Sequence, residues 1–240
     1  MRILALALGL FLTAADPAAA QFTSSLGGTF NNPGSALLGT MIGNRILADA
    51  VRKGASTGEH PSPASPASLA AARLTFTPVA RTLMVKELAD SLVKEADTQQ
   101  KLAEAFDGYL RAFDEQARRD REPSNDVGRA AAFFVMVNYF AATGSEPTDA
   151  QADGAQATFR AGLARNAGFA RMSDRDRQRL YESLVILGSF PLAGVVQAGQ
   201  RKDKQEEKMF RDFAAELVKT LIGVPVEKIQ LTATGFRIDE

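Results

Sequence analysis

Ala130–Ala142 is a run of thirteen residues with a single strongly polar member, Asn138. Thirteen helical residues cover about 20 Å, well short of the roughly 30 Å of a bilayer's hydrocarbon core. The run is therefore read as a helix buried on most sides, at the centre of a folded domain. Ser124-Asn125-Asp126 supplies cap-type oxygens at its start, and Gly144 stands in the usual C-terminal place. Asn138 is the notable residue in it, because a buried amide costs free energy unless its donors and acceptors are met.

Segments on either side have helical periodicity. Thr77 reads as an N-cap and Pro78 as a first helical residue, with Val79, Leu83, Met84, Leu88 and Leu92 on one face through about Glu95. From Thr98, Leu102, Phe106, Leu110, Phe113 and Ala117 recur at helical spacing. The opposite face, Lys101, Glu104, Asp107, Arg111, Asp114 and Arg118, reads as solvated. Thr148 and Asp149 open a weaker helix with Phe159 and Leu163. Ser173–Asp176 resembles a capping box ahead of Leu180, Leu184 and Leu187, and Pro191 is expected to bend or end that helix. Lys204–Ile222 carries Met209, Phe213, Leu217 and Leu221 and stops at Gly223. The tail has enough apolar residues to dock, as a short extended piece. No fixed-period repeat or βαβ alternation is present, which predicts an all-α domain of about six helices, bundle-like or orthogonal, over residues 76–240.

Ahead of that domain, Arg2, the apolar Ile3–Ala15 and Ala18-Ala19-Ala20 form the three parts of a cleavable secretory signal over residues 1–20, cut after Ala20. Residues 21–75 read as a flexible arm, containing a short helix at about 35–52 with the small pair Gly39 and Gly43. A Pro/Ser/Ala-rich linker follows it. The expected location is periplasmic or secreted, with no membrane span in the mature chain.

Composition removes several chemistries. There is no Cys, and the one His, His60, sits in the linker, so thiolate metal sites and a Ser-His-Asp triad have no residues to build on. Neither a metal nor a cofactor is expected. The 28 basic and 28 acidic residues balance, giving no long-range attraction to nucleic acid. Gly188-Ser189-Phe190 lacks the Gly-x-Ser-x-Gly turn of a serine hydrolase. The remaining candidates are Asn138 and Tyr139, with Tyr181 and Glu182 on a neighbouring helix, which together form a small polar pocket on one reading. On the other, Asn138 bridges two helices and sets their register. Glu182 is also the one carboxylate whose apolar surroundings suit an acid catalyst.

Phe76-Thr77-Pro78, Ser124-Asn125-Asp126-Val127, Ser173–Gly188 with its run Leu180–Gly188, and Leu231–Phe236 resemble a family of secreted bacterial helical proteins defined as a domain of unknown function. The resemblance covers about Arg73–Phe236 and brings no established active residues. The expectation is an exported protein of the cell envelope that binds a protein, peptide or small ligand. An envelope glycan hydrolase built on buried carboxylates and a periplasmic folding or assembly helper are the alternatives.

Overall fold

The computed structural model describes residues 74–238. The segments expected to be a signal, an arm with a helix at about 35–52 and a linker, and with them Gly39, Gly43 and His60, lie outside the described residues. Seven helices are present among those described: α1 (Val85–Leu92), α2 (Ala96–Arg119), α3 (Val127–Thr143), α4 (Asp149–Ala164), α5 (Ala167–Ala170), α6 (Asp174–Arg201) and α7 (Lys204–Ile222). A short 3-10 turn, Val226–Lys228, leads into an antiparallel hairpin of β1 (Ile229–Thr232) and β2 (Gly235–Ile238). The chain is mostly helical, as its periodicity predicts, and the extended tail is this hairpin.

Helix α3 is the hub. It packs against α4, α6 and α7, and every residue from Val127 to Asn138 is buried. Asp126 caps it by accepting from the Arg129 amide at 3.0 Å, and Gly144 closes it at a φ of 75°, a left-handed conformation that a β-carbon would strain. The α2 stripe of Leu102, Phe106, Leu110, Phe113 and Ala117 is buried as its spacing requires. Edge-to-face rings knit the layers together: Phe113 meets Phe133 of α3 at 4.9 Å, and Phe190 of α6 meets Phe106 of α2 and Phe210 of α7 at 5.6 Å each. Among the described residues, α6 alone is long and apolar enough to cross a membrane. In the fold, 89% of its most apolar stretch is buried against neighbouring helices.

Two sequence expectations are corrected. Residues 76–84 are not helical: Thr77 and Pro78 are exposed and cap nothing, and α1 begins only at Val85 and ends at Leu92. The amides of this stretch are taken by side chains of α6, described below, so a local helix has no advantage. Pro191 does not end α6, which runs unbroken from Asp174 to Arg201. Proline has no N–H to give the carbonyl of Leu187, one turn earlier. The Asn138 amide of α3 donates to that carbonyl at 3.2 Å, so the helix continues with its buried acceptor satisfied.

The hairpin seats on α4 through close backbone approach. A β-carbon at Gly154 would lie 2.5 Å from the Ala233 carbonyl oxygen. Gln151 donates to the Leu231 carbonyl at 2.8 Å, and Phe159 meets Phe236 at 5.4 Å. Gly154→Ala is therefore expected to destabilise the fold by about 1–3 kcal/mol, because backbone cannot yield as a side chain can. Faster hydrogen exchange across residues 229–238 should accompany the lower melting temperature. Unchanged exchange there would refute the close-approach account.

Candidate functional site

The first turns of α6 carry Gln178 and Glu182, buried polar side chains that find partners outside the helix. Ser173 caps the helix, accepting from the Asp176 amide at 3.2 Å. One turn into the helix, Gln178 turns its amide on a peptide group: Oε1 accepts from the Val79 N–H at 2.8 Å while Nε2 donates to the Ala80 carbonyl at 2.8 Å. The same Nε2 donates to Glu182 Oε1 at 2.8 Å. The other oxygen of Glu182 accepts the Leu83 and Met84 N–H groups, both at 2.7 Å. Met84 is the N-cap of α1 and offers no side-chain cap, so the carboxylate of another helix serves there, at the positive end of the α1 dipole. Glu182 is 3% exposed. Among the described residues no cation pairs with it, and these hydrogen bonds explain its burial.

Tyr181 faces the other way. Its ring meets Phe76 at 5.4 Å and Phe113 at 5.8 Å, and its hydroxyl donates to Asp114 of α2. Burial, reinforced by the Asp114 carboxyl, pushes the Tyr181 phenol well above its ordinary range, so it stays a donor. Burial also raises the Asp114 carboxyl, against the pull of the Tyr181 hydrogen bond, Arg118 and Arg129. Asp114 is thus half-buried rather than the solvated residue its place on α2 predicts, because it meets the hydroxyl of the buried Tyr181. Arg129 lies alongside, its side chain 7% exposed, over the Phe113 ring at 4.9 Å and paired with Asp120 at 3.2 Å. Arg160 of α4 joins Glu122 and Asp126 at 2.7 Å each, pinning the corner between α2 and α3.

A carboxyl whose pKa is raised by folding supports the fold while protonated and loses that contribution as pH rises through the raised value. Asp114→Asn keeps an acceptor for Tyr181 and removes the buried charge. The variant is expected to melt a few degrees higher at neutral pH, with the difference vanishing in acid, where wild-type Asp114 is neutral as well. A variant that is less stable at neutral pH would show that the attraction of Arg118 and Arg129 outweighs burial.

The four residues picked from the sequence have different partners. Tyr181 and Glu182 are adjacent on α6 and lie beneath residues 76–84. Asn138 is completely buried and joins α3 to α6, with Nδ2 donating to Phe134 O at 2.8 Å and to Leu187 O at 3.2 Å. No partner meets its Oδ1 among the described residues. Tyr139 is half-buried on the edge of the core, and none of the four is hydrogen-bonded to another. Gln178 escaped sequence reading, although it stands one helical turn before Glu182 on the same face, a spacing at which two polar side chains meet. Asp114 escaped because its neighbours on the helix are charged. Among the described residues no group of three His, Cys, Asp or Glu side chains is placed to hold a metal ion.

No curated protein and no solved structure matches this chain. One family model does, and it spans residues 1–239, including all the segments on which the resemblance rests. The chain belongs to the family of unknown function DUF6683.

Proposed function

We infer that this chain is an exported protein of the bacterial cell envelope that acts by binding a protein, peptide or small ligand rather than by chemistry. The observation that carries the reading is the use α6 makes of its polar side chains. Gln178 and Glu182 present donors and acceptors to peptide groups of another segment of the chain, groups that a peptide ligand also carries. A glycan hydrolase needs a carboxyl free to pass a proton to the substrate and a second about 5–10 Å away. Both Glu182 oxygens are already acceptors, one of them for two backbone amides. A folding helper would hold its clients on a broad apolar surface. Among the described residues, Val79 is the one large apolar side chain that stands exposed, at 52%. Export rests on the three-part N-terminal segment.

Two measurements test this reading. Protein recovered from the envelope should begin at Gln21, and an intact Met1 there would overturn export. The purified mature chain should rise in melting temperature with envelope-derived peptides or small polar ligands and leave peptidoglycan chemically unchanged. Release of reducing sugar ends would overturn the binding reading.

A further inference from the structure

Residues 76–84 run over α6 with their side chains mostly outward. Thr77, Pro78, Val79, Ala80 and Arg81 are all exposed, and this part of the chain is held through its peptide groups. The contacts with α6 are a paired amide–amide interaction at Val79 and Ala80, and the Glu182 carboxylate on the N–H groups of Leu83 and Met84. The side-chain anchor is Phe76, buried against the Tyr181 ring. Upstream the segment is tied at Leu74, whose carbonyl accepts the Val127 N–H at 3.0 Å, and downstream it enters α1. It forms a strap fastened at both ends over Gln178, Tyr181 and Glu182, which are 2–3% exposed beneath it.

Hydrogen bonds to main-chain N–H and C=O groups do not depend on which residues carry them. Any polypeptide that follows the same succession of bends offers the same groups at the same spacing. We propose that the strap is a built-in occupant of a peptide-binding groove on α6, and that the ligand is a segment of another polypeptide that takes up the strap's bends and its final turn. The incoming segment places an aromatic or large apolar residue in the slot of Phe76 and offers its peptide groups to Gln178 and Glu182. This rests on the binding reading above and names the class of ligand. The closed strap lowers the apparent affinity by the fraction of time the groove is covered, so loosening the strap strengthens binding.

The probe is a labelled synthetic peptide with the sequence of residues 74–84, added to the full chain. Wild type is expected to bind it weakly. Phe76→Ala removes the cis anchor and leaves the groove intact, so it should bind about tenfold tighter. Adding Gln178→Ala to that variant should abolish binding. A peptide N-methylated at the position matching Leu83 loses one of its two donors to Glu182 and should bind at least about tenfold more weakly than the unmodified one. A folded Phe76→Ala chain that does not bind the peptide, or a methylated peptide that binds equally well, would overturn the proposal.

A measurement that needs no ligand keeps it falsifiable if Phe76→Ala folds poorly. Arg81 is exposed, but the backbone on either side of it is held by Gln178 and Glu182, so trypsin, which must take up several residues around the cut, can cleave there only when the strap lifts. Gln178→Ala should speed that cut about tenfold, and equal rates would overturn the strap as a movable cover. A strap that lifts without any peptide binding overturns the peptide groove and leaves the binding reading open to small ligands. Sugar release from peptidoglycan overturns that reading instead, whatever the strap does.

Discussion

Glu182→Ala is expected to lower stability by about 3–5 kcal/mol, since hydrogen bonds to a charged group are worth about 1.5–3 kcal/mol each and two backbone amides lose theirs together. Leu83 and Met84 N–H groups would be left at the start of α1 without an acceptor, and Gln178 would lose the oxygen that orients it. Glu182→Gln retains an oxygen for the amides but brings an NH₂ up to Gln178 Nε2, so it should recover only part of the loss. Urea unfolding would read both: the midpoint should fall in the order wild type, Gln, Ala, with the slope unchanged. An alanine variant with the wild-type midpoint would show that the carboxylate does not hold α1 and the strap in place.

Asn138→Leu should cost about 2–4 kcal/mol, for a reason that involves a residue far away in sequence. Pro191 cannot donate to the Leu187 carbonyl, so the Asn138 amide is the donor that carbonyl has, in the centre of the fold. Leucine leaves it unpaired. Pro191→Ala supplies the missing N–H from within α6, and in that background Asn138→Leu should cost about 1–3 kcal/mol less. The cycle is read from four denaturation curves. Additive effects of the two substitutions would show that Asn138 is held for some purpose other than the proline's missing hydrogen bond. Binding of the peptide probe should be the same in all four proteins when folded, because Asn138 lies outside the strap's contacts.

The boundaries of α3, α4 and α7 follow closely from local signals. Asp126, Thr148 and Asp203 each place an oxygen on amides two or three residues ahead, and Gly144 and Gly223 end α3 and α7 in left-handed conformations. The α2 stripe was equally legible, because residues three and four apart on a helix face one neighbour whatever that neighbour is. The burial of Asn138 and Glu182 could be read from their apolar surroundings.

What those two residues do there was not legible. The strap's amides and Glu182 are separated by 98 or 99 positions, and Asn138 and Leu187 by 49. Thr77-Pro78 obeys the rules for a helix start, and Pro191 obeys those for a stop, yet α6 overrides the first and α3 the second. Periodicity and capping are settled by neighbours within about four residues, so the sequence by itself determined a helical domain centred on Ala130–Ala142, the starts of α3, α4 and α7 and the ends of α3 and α7. Which buried carbonyl or amide lacks a local partner, and which distant side chain answers it, depends on how the helices cross. Only the tertiary structure decided that, because an unpaired polar group buried in the core costs as much as the local preference it overrules.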